Sequence, residues 1–386
     1  MLLGIVGVPS SGKSTFLRAA TLADVQIASY PFTTIQPNQA MAYVIRDCPC
    51  GRLGVKCSPN NSRCVDGKRW IPVRLLDVAG LFPGAHEGKG LGNQFLDDLR
   101  QADGLIHVLD CSGLTDSEGK ERQPSEPWDP EKNIEVLETE IDEWLFSIIK
   151  RSLEKVETQA RMKKIPVERP LSEKLSGLGI TEDDIKRAMQ KADVKSREFA
   201  TILRRESKPI IIAANKIDKD PAPENYERLR KDHPDIIPMS ADSELALREA
   251  AEHGLVDYLP GGGDFSIVSD KLSERQKAAL GFIRDGVLKK YGSTGVQKVL
   301  DTLVFGKLQY IAVYPVANMG KFSDTKGNVL PDVHLVKKGT TVKELAAKVH
   351  SAMADKFIGG LDTERKKVGA DHELKDGDVI EILFGK

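Results

Sequence analysis

The 386-residue sequence lacks any apolar run of 18 residues, so no helical membrane span is expected. It also lacks an excess of either charge, with a formal net charge of −1. A near-neutral chain gives no global electrostatic case for nucleic-acid binding, and any RNA contact has to use local patches. Cysteine is scarce and unevenly placed. Of five in all, Cys48, Cys50, Cys57 and Cys64 crowd one short stretch while Cys111 stands apart, which raises a metal question rather than a disulfide framework. The start, Met1-Leu2-Leu3, has no basic segment, so a secretion signal is not expected and a cytoplasmic location is. Charged residues at 29% and hydrophobic ones at 40% describe an ordinary globular chain, long enough for two or three domains.

The most informative feature present is Gly7-Val8-Pro9-Ser10-Ser11-Gly12-Lys13-Ser14, which fits G-x-x-x-x-G-K-[ST] directly after the apolar run Leu2 to Val6. A strand ending in a glycine-rich turn that opens a helix aims backbone N–H groups and a positive helix end at phosphates. In this reading Thr15 begins the helix, Lys13 reaches the β- and γ-phosphates, and the Ser14 hydroxyl is a ligand of Mg²⁺.

Strand-like runs recur at 2–8, 41–46, 73–77, 105–110, 209–214 and 236–239, separated by helix-like segments, which predicts an α/β doubly wound, mostly parallel sheet. The pattern breaks between Trp128 and Lys208. There Ile134, Leu137, Ile141, Leu145, Ile148 and Val156 recur at helical spacing, and a second helix opens at Thr181-Glu182-Asp183-Asp184, running through Ile185, Met189, Phe199 and Leu203. An inserted helical hairpin is expected. After Leu303 the strands 308–315, 329–335 and 379–384 and one helix over 341–357 predict a small α+β module. The expected domains are therefore 1–127 with 209–304 for nucleotide binding, 128–208 for the helical insertion and 305–386 for the C-terminal module.

Three further motifs each follow a predicted strand. Asp77-Val78-Ala79-Gly80 fits D-x-x-G, whose Asp holds Mg²⁺ through water and whose Gly amide senses the γ-phosphate. Asn215-Lys216-Ile217-Asp218 supplies a carboxylate that accepts two hydrogen bonds from guanine, where adenine offers no matching donor pair. Met239-Ser240-Ala241 is placed to aim a backbone N–H at the guanine oxygen, and Thr33-Thr34 lies where a switch threonine closes over Mg²⁺. Together they select GTP.

On these residues the chain resembles the Obg-related GTPases, and within them the YchF-like group. The resemblance covers nearly the whole chain. It rests on Gly7 to Ser14, Tyr30-Pro31-Phe32-Thr33-Thr34 with Pro37-Asn38, Asp77 to Leu81 with Gly84 to Gly92, and Asn215 to Asp218. It implies a P-loop GTPase domain, a coiled-coil insertion and a C-terminal TGS (β-grasp) domain. It also implies Ser14 and Thr34 as Mg²⁺ ligands, Phe32, Thr33, Thr34, Ile35 and Gln36 along the nucleotide, and the ribosome or its RNA as partner. Two departures stand out. YchF-like proteins commonly end the fourth motif in Glu and bind ATP, whereas Asp218 is the guanine-specific form. Obg-type loops usually carry a K⁺-holding Asn where this chain has Ser10, which argues against potassium stimulation.

Leu81 stands where many GTPases place the glutamine that orients the attacking water, so slow intrinsic turnover is expected. His86, in the glycine-rich segment after it, is the candidate for that task, alongside Lys13, Thr34 and Gly80. The leading reading is a GTP-hydrolysing, ribosome-associated switch. The alternative is a nucleotide-gated RNA- or protein-binding module with negligible turnover. The four clustered cysteines are able to hold tetrahedral Zn²⁺, but the spacing C-x-C-x₆-C-x₆-C is not a pair of C-x₂-C knuckles. Zinc, disulfide pairing and free packed thiols stay open, with zinc not preferred.

Overall fold

A computed structural model describes residues 1–21, 39–78 and 98–385. Among these, residues 1–21, 39–41, 74–78 and 98–299 form one compact unit, and 42–73 with 300–385 form another. Residues 42–73, read from sequence as part of the nucleotide-binding domain, thus cluster with the C-terminal residues.

The first unit is built on parallel strands. β1 (Leu2–Val6) pairs with β4 (Lys68–Asp77) and β5 (Gly104–Asp110), and β6 (Ile210–Asn215) pairs with β5 and with β7 (Ile237–Pro238), all in parallel. Residues 68–73 of β4 belong to the second unit, as do residues 42–47 of β2 (Gln39–Asp47), which flanks β4, and all of β3 (Arg63–Val65), which joins β4 antiparallel. Every residue of β1 and β5 is buried, as expected for strands covered on both faces. Parallel pairing puts the carboxyl ends of β1, β4, β5 and β6 at one edge of the sheet, where ligands of doubly wound folds bind. A short hairpin of β8 (Val256–Asp257) and β9 (Ser266–Ile267) stands apart from the sheet.

The helical insertion is real but more divided than its periodicity predicts. Its first helix, Glu131–Lys163, buries Leu137, Ile141, Trp144, Leu145 and Val156 on one face. The predicted second helix is two, Glu182–Met189 and Arg197–Ser207, and a further helix spans Glu168–Leu175. Thr181 and Asp184 form the expected capping box, with Asp184 N–H donating to Thr181 Oγ1 at 3.2 Å. The interruption has a local cause. Asp193 Oδ1 accepts the Lys195 N–H at 2.8 Å and Ser196 Oγ accepts the Phe199 N–H at 3.1 Å, so side chains replace helix carbonyls and start a new helix. Leu137, Trp144, Phe199 and Leu203 share a core with Val6 and Leu105 of the sheet, and Arg204, 2% exposed, is held by Asp142 at 2.6 Å and Glu138 at 3.1 Å.

In the second unit β10 (Tyr310–Val316) lies between β11 (His334–Lys337), antiparallel, and β14 (Val379–Phe384), parallel; β12 (Phe357–Leu361) and β13 (Lys367–Val368) complete the sheet. Helix Val342–Val349, capped by Thr341, packs Leu345 and Ala346 onto Ile311, Val313 and Ile380. The single helix predicted over 341–357 ends early, because His350 is extended at φ −161°, ψ 130°. Phe357, read as its last residue, opens β12 instead. The predicted strand over 329–335 is shifted to His334–Lys337, since Leu330 takes a positive φ of 44° ahead of Pro331.

Candidate nucleotide site

Where β1 ends, Gly7, Ser10 and Gly12 adopt φ of 150°, 62° and 102°, turning the chain into the helix Lys13–Thr21. Two of these positions have no room for a side chain. A Cβ on Gly7 would lie 2.5 Å from the Val108 carbonyl oxygen, and one on Gly12 would collide with the Asn215 side-chain amide. The loop is therefore pressed against β5 and β6. Lys13 Nζ folds back over it, donating to the Gly7 and Val8 carbonyls at 3.0 Å each. Burial lowers the Lys13 pKa, opposed by the Asp77 charge; burial raises that of Asp77, opposed by Lys13. The two groups are thus electrostatic partners, Lys13 at the start of its helix and Asp77 at the end of β4.

Asn215, 3% exposed at the end of β6, ties three loops together. Its Nδ2 donates to the Ser11 carbonyl at 2.9 Å and its Oδ1 accepts the Ala241 N–H at 3.0 Å. Lys216, with φ of 63°, sends Nζ to Asp110 Oδ2 at 2.7 Å; Asp110 is fully buried and also accepts the Ser112 N–H at 3.0 Å. Asp218 is differently placed. Its Oδ1 is buried and has no hydrogen-bond partner among the described residues.

Ser240 caps the helix Ala241–Glu252, its Oγ accepting the Ser243 N–H at 3.2 Å. Its own N–H donates to Thr294 O at 2.9 Å, and the Ala241 N–H goes to Asn215. The Ser240 and Ala241 N–H groups, the candidates for the one expected to meet a guanine oxygen, are thus both engaged within the protein. Phe32, Thr33, Thr34, Ile35, Gln36, Gly80, Leu81 and His86 lie outside the described residues.

Sequence reasoning missed two parts of this site. Asp110 carries no motif around it, and only the Lys216 contact reveals its role. The segment after β5 is the other: Asp116 accepts the Glu118 and Lys120 N–H groups at 3.0 and 2.9 Å and Arg122 Nε at 3.2 Å, and this turn seats Gly119 against Pro9 of the phosphate loop. Behind the loop, His107 of β5 is 1% exposed; burial first, then the charges of Lys13 and His233, push its imidazole down to about 3.

A parallel sheet, a glycine-turned loop with Lys13 at its helix start, and Asp77 and Asn215 at the carboxyl ends of β4 and β6 define a P-loop nucleotide-binding protein. Family models agree along the chain: residues 2–158 match a 50S ribosome-binding GTPase domain, 213–318 the G4-motif-containing domain of YGR210-like Obg-like GTPases, and 326–384 a TGS domain. An uncharacterized GTP-binding protein of Methanocaldococcus jannaschii is 49% identical, over 99% of this chain and 98% of the relative. The crystal structure of a GTP-binding protein from Pyrococcus horikoshii OT3 is 37% identical over the full length of both chains, with a TM-score of 0.78. The ribosome-binding ATPase YchF of Mycoplasma genitalium is 28% identical over 99% of this chain and 98% of that one. The chain belongs to the Obg-like GTPases, a P-loop GTPase/ATPase family, in the YchF-like group with a C-terminal TGS domain. Among the described residues no helix is long and apolar enough to cross a membrane.

Proposed function

We propose that the protein binds Mg²⁺·GTP and hydrolyses it slowly to GDP and phosphate, acting as a switch read by the ribosome or its RNA. The observation that carries the choice of base is Asp218, whose buried, unpartnered Oδ1 invites the paired donors of guanine. Relatives are named both GTP-binding and ATPase, so this side chain is the deciding feature. Lys216 is held by Asp110 and Asn215 by Ser11 and Ala241, which leaves Asp218 as the group of the motif that discriminates.

At the phosphate end, the backbone of Gly7 to Ser14 cradles the anion, and Lys13 swings from the Gly7 and Val8 carbonyls to the β- and γ-phosphates. The Ser14 and Thr34 hydroxyls and the Asp77 carboxylate are an oxygen donor set of the kind Mg²⁺ takes while keeping several waters. These residues would hold Mg²⁺, which would supply charge neutralisation to the phosphates. Asp77 in that role must be ionised, which the Lys13 charge favours. Gly80 senses the γ-phosphate, and His86 positions the attacking water in place of the glutamine absent at Leu81. A partner that supplies or stabilises the catalytic groups accelerates turnover.

Binding and hydrolysis are tested separately. With Mg²⁺ and the full chain, GTP and GDP bind at least tenfold more tightly than ATP; equal ATP affinity defeats the guanine assignment. Single-turnover assays show slow GDP formation alone and faster formation with ribosomes. No GDP in either condition favours the binding-module alternative.

A further inference from the structure

We propose that Cys48, Cys50, Cys57 and Cys64 bind one Zn²⁺ ion as a structural tetrathiolate centre in the second unit. The four sulfurs converge: all lie within 4.8 Å of one another, with Cys48 to Cys57 at 4.0 Å and Cys50 to Cys64 at 3.8 Å. Four thiolates around zinc at about 2.3 Å form a tetrahedron with edges of about 3.8 Å. Disulfide sulfurs sit at about 2.05 Å, and two separate bridges give no reason for all four atoms to gather at one point. A single ion does.

The local backbone is shaped for this. Cys48 precedes and Cys50 belongs to the five-residue helix Pro49–Leu53, which Gly54 closes at φ 64°; Cys57 is in the loop beyond and Cys64 in β3. One short helix and one three-residue strand offer little core of their own, and such segments generally need a staple. The stretch is otherwise pinned at its far end, where Ser58 and Asn60 N–H groups donate to Val329 and Pro331 carbonyls at 2.8 and 2.7 Å and Asn61 exchanges two hydrogen bonds with Val333.

A second observation is independent of the thiols. Arg69, directly across the β3–β4 pair from Cys64, is fully buried, and its Nε and Nη1 have no hydrogen-bond partner among the described residues. Its guanidinium lies 5.2 Å from the Tyr314 ring. A buried cation needs nearby negative charge. The Asp332 carboxylate supplies one such charge, and Arg69 Nη2 donates to the Leu330 carbonyl; zinc with four thiolates adds a net charge of −2, whereas four neutral thiols or two disulfides add none.

The full chain, purified without chelator and again after reduction and zinc reconstitution, is expected to hold about one zinc per chain by elemental analysis. Cobalt substitution should give the visible bands of tetrahedral Co²⁺ with thiolate charge transfer. Cys64→Ser should lose these bands and most of the metal, while Cys111→Ser keeps both. If Cys64→Ser does not fold, the unmodified protein's cobalt spectrum decides alone. Less than about 0.2 zinc per chain after reconstitution, an octahedral cobalt spectrum, or two disulfides found by mass spectrometry of the non-reduced protein would overturn the proposal.

Discussion

Asn215 and Ser11 are joined by a 2.9 Å hydrogen bond from side-chain amide to loop carbonyl, so the residue that opens Asn215-Lys216-Ile217-Asp218 also holds the loop Gly7 to Ser14. The same side chain accepts the Ala241 N–H at 3.0 Å. Replacing it by Ala leaves a buried N–H and a buried carbonyl unpaired, which costs about 1–3 kcal/mol each at most. Asn215→Ala is expected to lose about 2 kcal/mol of unfolding free energy and to weaken GTP and GDP alike by tenfold or more. Denaturant unfolding and nucleotide titration check both; a change under about 0.5 kcal/mol would show the bridge to be incidental.

Gly12 faces that amide from the other side. A methyl group there meets the Asn215 side chain, and φ of 102° is costly for any L side chain. Gly12→Ala should therefore lose nucleotide binding more completely than Ser11→Ala, whose hydroxyl makes no hydrogen bond among the described residues. Equal affinity for the two variants would show that the loop adapts.

Asp218→Asn replaces an acceptor with a group that also donates. GTP affinity is expected to fall by about a hundredfold, as for sites left with unmatched polar groups. Xanthosine triphosphate, which carries an oxygen where guanine has its amine, should bind the variant better than GTP does. Asp218→Glu should narrow the gap between GTP and ATP. Unchanged GTP binding in Asp218→Asn would remove this residue from base recognition.

How much of this was legible beforehand follows from the kind of signal. The phosphate loop, Asp77, Asn215 and Asp218 are short linear motifs at strand ends, and the fully buried strands announce themselves as apolar runs. What the chain order hides is pairing at a distance: Lys216 with Asp110, Gly119 on Pro9, and four cysteines whose spacing matches no familiar knuckle yet whose sulfurs meet. The helix over 341–357 and the second helix of the insertion were overdrawn for a different reason. Periodicity continues across His350 and across Asp193 to Ser196, while local side-chain hydrogen bonds break the backbone there.

His107 gives a pH prediction with a definite sign. Its folded pKa of about 3 lies below the ordinary 6.5, so both folded and unfolded chains carry it neutral above that value. As pH falls from 6.5 towards 3 only the unfolded chain gains the proton, and stability drops by up to about 1.4 kcal/mol per pH unit from this group. His107→Leu should consequently show a shallower loss of stability between pH 7 and pH 5 than the parent. Parallel stability curves would mean that His107 reaches water or a partner when protonated.

The second unit is assembled from two stretches far apart in sequence, 42–73 and 300–385. A ribosome adding about 5–20 residues per second makes the roughly 230 residues between them in on the order of 10 to 45 seconds. Throughout that interval the first stretch has been born without its structural complement, and its four thiols wait in the open. The residues of the first unit, all before 300, are therefore made before the stretch that completes the second.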